Sequence, residues 1–433
     1  MATSLHTNAE PRDLSHLPHV VIIGGGFAGI ATARGLAGKA VRVTIIDKHN
    51  FHTFLPLLYQ VATAGLEPAD VAYPIRTIFG ASDNIRFRHA LVKVVDHARN
   101  VIEVDDGSTI MFDHLVVATG ATAAFFGIPG ASKYAMPLYS LADARKLRNR
   151  LLLSLERADV QAEFTPTTLT YVVVGGGPTG VETSGAIADL IRIGIKRDGL
   201  RLEAKNIRVL LVDVAPRLLT AFPESASRYA KKELESMGVE IEFGRSVVEV
   251  EEGAIRFGDG ERLEVAAVIW AAGVTTSGTL AHDLQASAGP GGRARVTPDL
   301  RLLESTSVWA VGDAAAVPLT TTEFCPQLAP VAIQTGKHCA RQIIRVLNNE
   351  PTEPFVYRNK GIMATIGRNA AVAKLPHGGV IKGTAGWLAW LGLHLWYLIG
   401  FRNKIRVIIN WTWRYFDWPS GPRLIVADAE TAE

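Results

Sequence analysis

The sequence predicts an α/β protein built from two similar parallel-sheet halves and a separate helical C-terminal segment. Three observations carry that expectation. A glycine-rich turn after an apolar strand occurs twice, a second apolar strand ending in glycine follows each copy, and six of eight tryptophans crowd into residues 387–418. With 433 residues, 48% of them hydrophobic and only 20% charged, the chain can fill two or three domain cores and is not disordered.

The first copy reads His19-Val-Val-Ile-Ile-Gly-Gly-Gly-Phe-Ala-Gly29 and the second Thr170-Tyr-Val-Val-Val-Gly-Gly-Gly-Pro-Thr-Gly180, with Gly24 and Gly175 offset by 151 residues. Leu115-Val-Val-Ala-Thr-Gly120 and Val268-Ile-Trp-Ala-Ala-Gly273 follow in register, offset by 153. One GxGxxG is weak evidence; two, each with its own partner strand, predict two Rossmann-like dinucleotide-binding domains. The first glycine turns strand into helix, the second lets backbone approach a pyrophosphate, and the third lets helix and strand pack closely. The diphosphate then meets free N–H groups at the helix start.

An acid at the end of the following strand completes each unit. Asp47 stands 18 residues after Gly29, and Asp213 stands 33 after Gly180, a gap that predicts a helix extended to about Ala204. A carboxylate accepts ribose hydroxyls and repels a 2′-phosphate, so Asp213 favours NADH over NADPH, with Arg217 near enough to blur the preference. Both acids are also readable as solvated strand ends.

Further on, Trp309-Ala-Val-Gly-Asp-Ala-Ala-Ala316 predicts a short strand, then Gly312-Asp313, then a small-residue helix. Its position suggests that the first domain resumes after the second is inserted, and such an arrangement makes the first nucleotide FAD. Asp313 would bond the ribityl chain, or simply cap the next helix. The expected boundaries are 17–125 and 295–381 for the FAD domain, 165–290 for the NADH domain and 382–418 for the C-terminal helices. Residues 1–16 and 419–433 are expected to be loose tails.

Net charge is +3, from 45 basic and 42 acidic residues, too balanced for a nucleic-acid binder. The only cysteines are Cys325 and Cys339, which leaves no CxxC pair for zinc or dithiol chemistry and suits a reducing compartment. His49 and His52 lack a third metal ligand in sequence, so no metal site is expected.

The C-terminal segment carries Trp387, Trp390, Trp396, Trp411, Trp413 and Trp418. The apolar run 387–400 is 14 residues, or about 21 Å as helix, too short for a bilayer core of about 30 Å. Arg402, Arg406, Asn410 and Arg414 make one polar stripe opposite Ile405, Ile408, Ile409 and Phe416. Tryptophans beside a basic amphipathic helix suit a segment lying at a lipid bilayer surface. A helical hairpin packed on the body, or serving a homodimer, is the other reading.

In combination, these features resemble the two-dinucleotide-domain flavoproteins of the glutathione-reductase type. More narrowly, Asn50-Phe-His-Thr-Phe-Leu-Pro-Leu-Leu-Tyr59, Gly175-Gly-Gly-Pro-Thr-Gly-Val-Glu182, Leu328-Ala-Pro-Val-Ala-Ile-Gln-Thr-Gly-Lys337 and the tryptophan-rich tail resemble type II NADH:quinone oxidoreductases, over roughly residues 19–418. The resemblance implies a non-proton-pumping enzyme on the cytoplasmic face of the inner (cytoplasmic) membrane, passing a hydride from NADH to FAD and reducing a membrane quinone. It implies FAD contacts at Gly24, Gly26, Phe27, Ala28, Gly29, Asp47, Lys48, Pro56, Thr119, Gly120, Gly312 and Asp313. NADH contacts fall at Gly175, Gly177, Pro178, Thr179, Gly180, Asp213, Ala272 and Gly273. Glu182 is then a carboxyl near the nicotinamide and a candidate proton relay, or a first-turn Glu favoured by the helix dipole.

The quinone element departs from a common Ala-Gln-x-x-x-Gln form. Here it is Ala329-Pro330-Val-Ala-Ile-Gln334, and since Pro330 cannot donate, any headgroup bond falls to Gln334 or backbone. Two rival functions fit parts of the pattern. A sulfide:quinone oxidoreductase shares the layout but needs cysteines by the flavin, and a redox-sensing flavoprotein would use the same folds to bind a partner.

Overall fold

A computed structural model describes residues 13–162, 169–276, 286–320, 322–415 and 423–426, the side chains of 193–198 and 413–415 excepted. Residues 1–12, Phe416, Trp418 and most of 419–433, with the side chains of Trp413 and Arg414, lie outside the described residues. The chain forms two compact units, one of residues 1–52, 74–122 and 275–358, the other of 53–73, 123–274 and 359–433.

In the first unit five strands pair in the order Val308–Ala310, His114–Val117, His19–Ile23, Arg42–Asp47, Ile85–His89, all parallel. The central strand is buried along its whole length, as expected where both faces are covered and β-branched residues run without alternation. Ile23 lies opposite Ile46 on one side and Val117 on the other, so the three strand ends form one rim. The helices Phe27–Leu36 and Ala329–Leu347 pack on each other through small residues. A Cβ on Gly336 would stand 2.3 Å from the Ala28 carbonyl oxygen, and one on Gly35 2.6 Å from the Ala340 methyl. A three-stranded antiparallel meander, Val92–Asp96, Val101–Val104 and Thr109–Met111, completes the duplicated pattern.

The second unit repeats it. Its parallel sheet runs Met136–Pro137, Ala267–Trp270, Leu169–Val174, Ile207–Asp213, Val239–Phe243, with its own meander at Val247–Glu251, Ala254–Phe257 and Arg262–Glu264. Trp270 and Phe257 anchor its core, and the Trp270 indole donates to the Ala124 carbonyl at 2.7 Å. A third sheet of Ile362–Gly367, Ala370–Lys374 and Val380–Lys382 leads into the helices Gly383–Tyr397 and Phe401–Tyr415. Leu398, Ile399 and Gly400 break the pair, with Gly400 at φ +87°.

Two expectations need correction. The helix after the second glycine loop is Pro178–Asp198 and stops at Gly199, a left-handed cap at φ +69°; a 3-10 turn at Ala204–Asn206 fills the rest of the gap. Gly312–Ala314 is a 3-10 turn followed by the two-residue strand Ala315–Ala316, so the helix expected directly after Asp313 begins only at Ala329. The two compact units are drawn differently from the expected domains: 53–73 and 359–381 fall in the second unit and 275–290 in the first. The strand Ile362–Gly367 packs so tightly on the Pro178–Asp198 helix that a Cβ on Gly185 would fall 1.7 Å from the Ile366 oxygen.

Candidate active site

Each glycine loop is sculpted by its own three glycines. Gly24 sits at φ +108°, where an added Cβ would meet the Ala118 oxygen at 2.3 Å; Gly175 sits at φ +110°, 2.6 Å from the Ala271 oxygen. The third glycines, Gly29 and Gly180, admit no Cβ either, with the Gly24 and Gly175 oxygens 1.9 and 1.8 Å away. The middle ones differ: nothing lies within 4 Å of a Cβ on Gly26 or Gly177. That open space faces the start of a helix in each unit, Phe27–Leu36 and Pro178–Asp198, neither capped by a side chain. A pyrophosphate fits there, on helix N–H groups left free for it.

Asp47 and Asp213 end their strands and bond alike. Asp47 accepts the Gly25 N–H at 2.6 Å and the His49 N–H at 2.7 Å; Asp213 accepts Gly176 at 2.5 Å and Ala215 at 2.8 Å. Each carboxylate therefore braces its loop and stands at the loop's edge, as a ribose partner must. Arg217 does not face Asp213's ligand side as a free cation. Its guanidinium donates to Phe222 O at 3.0 Å, Thr220 O at 2.9 Å and Ser227 Oγ at 2.5 Å.

The first unit has two further features suited to a flavin nucleotide. His52 Nδ1 lies 3.0 Å from the Gly25 oxygen, to which it can only donate, and burial holds the ring below its ordinary value, which favours the neutral form. Its Nε2 is then a buried acceptor with no hydrogen-bond partner among the described residues. Burial also pushes the Asp313 carboxyl up to about 6, against the pull of Arg293. An acid so placed gains from a ligand hydroxyl to bond. Thr119 is exposed at the end of its strand, Gly120 follows at φ +72°, and Lys48 is exposed beside Asp47. Gly312 donates to Thr335 Oγ1 at 3.0 Å, which pins the Asp313 turn to the Ala329–Leu347 helix. Pro56 lies in the 3-10 turn Leu55–Leu57 of the other unit.

Ala272 and Gly273 flank the second loop: the Ala272 Cα would lie 2.8 Å from a Cβ on Gly175. On the helix that this loop starts, Glu182 opens on a small, half-open cavity lined also by Tyr59, Gln60, Thr365, Trp387, Trp390 and Trp411. Thr365 N–H donates to Glu182 Oε1 at 3.2 Å. Enclosure by protein pushes the carboxyl up to about 8, against the Thr365 bond and the Trp390 indole beside it. Trp390 Nε1 is close without the alignment of a full hydrogen bond. Such a shift favours the protonated carboxyl near neutral pH, and Glu182 lies past the first turn of its helix, which begins at Pro178, so the expectation of a first-turn Glu favoured by the dipole is corrected.

Sequence reading missed this cavity. Its aromatic walls come from the tail whose tryptophans point, by composition, to a lipid surface, yet Trp390 and Trp411 are buried. Trp396 alone among the described tryptophans projects outward, at 78% exposure. The polar stripe is likewise reversed in part. Arg406 Nε lies 3.1 Å from the buried Asp70, and Asn410 donates to Asp70 at 2.8 Å. Asn403 donates to the Ala72 oxygen at 3.0 Å. The helix thus docks by polar residues and presents Phe401, Ile405, Ile408 and Ile409 outward, with Arg402 exposed.

Gln334 is less available than expected. Its amide donates to Arg358 O at 2.9 Å and accepts Arg358 N–H at 3.0 Å, so both ends are engaged. Pro330 occupies the first turn of the Ala329–Leu347 helix, where its missing N–H costs nothing. Cys325 and Cys339 are buried, and burial raises both thiols, which makes them inert rather than nucleophilic. No helix among the described residues is long and apolar enough to cross a membrane.

Comparison with known proteins agrees with this layout. The pyridine nucleotide-disulphide oxidoreductase family matches residues 18–336, and the NDH2 C-terminal domain matches residues 359–417. The chain is 36% identical over 427 residues to the type II NADH:quinone oxidoreductase Ndh of Mycobacterium tuberculosis, covering 95% of this chain and 90% of that one. NdhA of the same organism is 35% identical, covering 94% and 88%. Among solved structures, NDH2 from Plasmodium falciparum in complex with NADH superposes at a TM-score of 0.85, with 20% identity over 95% of this chain and all of that one. A sulfide:quinone oxidoreductase from Aquifex aeolicus shares the fold at a TM-score of 0.71 and 17% identity, covering 93% and 96%. Two glycine loops, each with its strand-end acid, and a matching C-terminal domain lead to one conclusion: the chain belongs to the type II NADH:quinone oxidoreductase family.

Proposed function

We propose that this chain oxidises NADH and passes the electron pair through FAD to a membrane quinone, with Glu182 as the proton donor. The observation that carries the reading is the placement of Glu182, on the helix that begins at the second glycine loop, facing a cavity lined by Tyr59, Trp387, Trp390 and Trp411. When bound, FAD supplies the hydride acceptor and the two-electron donor; binding, orientation and proton supply fall to the chain's own residues.

The first unit holds the FAD pyrophosphate over Gly26 and the ribose at Asp47, with Asp313 and His52 Nε2 as further polar partners. The second holds NADH over Gly177, with Asp213 on the ribose. With Arg217 committed to carbonyls, Asp213 is left to repel a 2′-phosphate. Reducing a quinone to quinol consumes two protons, and Glu182 at about 8 holds one at neutral pH. Gln334, bonded at both ends to Arg358, shapes the Ala329–Gln334 element rather than standing free as its donor.

The outward apolar side chains of the last two helices, Phe401 at 79% exposure and Trp396 foremost, are the surface that meets lipid. Their reading as a peripheral anchor on the cytoplasmic face suits a substrate pair of which one member is soluble and the other dissolves in the bilayer. The sulfide alternative has little to stand on, because both thiols are buried and disfavour the thiolate.

Steady-state turnover of the FAD-loaded protein with a short-chain quinone tests the reading. NADH oxidation that depends on quinone, with sulfide inactive as donor, is expected. Sulfide-dependent quinone reduction without NADH oxidation would overturn it.

A further inference from the structure

The buried polar chain that begins at Trp411 reaches the Glu182 carboxyl in four steps. Trp411 Nε1 donates to Gln60 Oε1 at 2.8 Å, and Gln60 Nε2 donates to the Tyr59 oxygen at 2.9 Å. Tyr59 meets Thr365 Oγ1 at 3.0 Å, and Thr365 N–H donates to Glu182 Oε1 at 3.2 Å. All four residues ahead of the carboxyl are buried. They come from the Phe401–Tyr415 helix, the Leu58–Ala62 helix and the Ile362–Gly367 strand.

Chemistry fixes the direction of the first two links. An indole N–H can only donate, so the Gln60 oxygen must face Trp411 and its NH₂ must face Tyr59. The Tyr59 oxygen, accepting from Gln60, shares one further hydrogen bond with Thr365 Oγ1, in which either oxygen can donate. Nothing in the Gln60–Tyr59 pair alone would hold this order, since an amide can turn over and exchange its oxygen for its NH₂. Trp411 is the member that cannot reverse.

We propose that Trp411, acting through Gln60, Tyr59 and Thr365, is a positioning residue for Glu182 that ties the seat of the C-terminal helix to the orientation of this carboxyl. The inference rests on the reading of Glu182 as proton donor given above. Removing the indole donor leaves the Gln60 oxygen buried without a partner and frees the amide to turn over. Tyr59 would then lose the Gln60 donor, its bond to Thr365 would rearrange, and the hold of the Thr365 main-chain N–H on Glu182 would slacken. The helix itself would stay seated, because Asn403, Arg406 and Asn410 fix it independently at Ala72 and Asp70.

The titratable groups facing the cavity are Tyr59, Asp189 and Arg368, with Arg192 paired to Asp189 at 3.1 Å. His394 stacks on the far side of Trp390 at 3.9 Å, and burial holds it down to about 4, so it carries no charge in the alkaline range. The Glu182→Gln background therefore decides whether Glu182, rather than another group facing the cavity, sets an alkaline limb.

The test is a two-by-two set of Trp411→Phe and Glu182→Gln in the FAD-loaded protein, read as the pH profile of quinone reduction. Trp411→Phe keeps the ring and removes the donor. The expected result is a several-fold loss of quinone turnover and an alkaline limb moved to higher pH, with no further loss when Glu182→Gln is already present. The infrared carbonyl band that disappears in Glu182→Gln should also shift in Trp411→Phe. Equal losses in both backgrounds with an unmoved limb and band would make Trp411 a packing residue and overturn the proposal. A Glu182→Gln protein that keeps wild-type turnover and limb would instead remove the reading beneath it, and the proposal with it.

Discussion

The carboxyl of Glu182 accepts the main-chain N–H of Thr365 at 3.2 Å while opening on a cavity walled by aromatic rings. One N–H is too little to offset the loss of water around an ionised carboxylate. The result is an acid that keeps its proton where an exposed Glu would have lost it.

The pH dependence of stability comes from the same shift. Glu182 rises from an ordinary 4.5 to about 8 in the fold, so between those values the folded chain holds a proton that the unfolded chain releases. Its contribution is full below the lower value and is lost as pH climbs through the upper one. Glu182→Gln should therefore flatten the decline in melting temperature between pH 5 and 9, by on the order of 2 kcal/mol at the alkaline end after discounting for water in the cavity. Parallel declines in the two proteins would show that the carboxyl is not shifted.

The middle and third glycines should respond differently to substitution. Gly177→Val places a side chain in open space where the NADH pyrophosphate is assigned, so it should raise KM for NADH about tenfold or more while leaving the fold intact. Gly180→Ala drives a methyl into the Gly175 oxygen and should destabilise the second unit itself, visible as lower expression and melting temperature. A Gly177→Val protein with unchanged KM would take the dinucleotide off this loop.

On the function proposed, Asp213 sets the choice between NADH and NADPH. Replacing it with Ala removes a negative charge from the ribose end, and Arg217 stays tied to its carbonyls. The ratio of kcat/KM for NADPH to that for NADH should rise about tenfold, equivalent to about 1.4 kcal/mol. An unchanged ratio would mean that Asp213 only braces Gly176.

Asp70 is the seat of the C-terminal helix, wholly buried and facing Arg406, Asn410 and the Asn403 amide. Asp70→Ala leaves Arg406 without its partner, and since Arg406 is partly exposed the cost should be about 1–3 kcal/mol in urea unfolding. Ile405→Glu and Ile408→Glu touch only the outward face. They should weaken sedimentation with anionic vesicles without lowering stability, whereas loss of stability with intact sedimentation would place that face against protein.

Much of this was legible in the residue order, for physical reasons that differ by element. The two glycine loops could be read because their geometry is dictated locally: Gly24 and Gly175 need positive φ, Gly29 and Gly180 need bare Cα atoms, and the acid must end the next strand. Gly199 was readable too as a helix stop, yet the longer gap to Asp213 suggested a longer helix. The cavity was not legible, since its walls join residues 59, 182, 365 and 411, which no local pattern links. For the same reason the Arg406 stripe looked lipid-directed: periodicity shows that a helix has a polar face, and only the buried Asp70 decides which way that face turns.

The most direct measurement mixes the FAD-loaded protein anaerobically with NADH, tracks the flavin absorbance, and then adds a water-soluble quinone. Rapid bleaching by NADH and then rapid return on quinone is the result predicted here, with the return slowing in Glu182→Gln. Absence of bleaching would contradict the NADH assignment, and bleaching without return would contradict quinone as the acceptor.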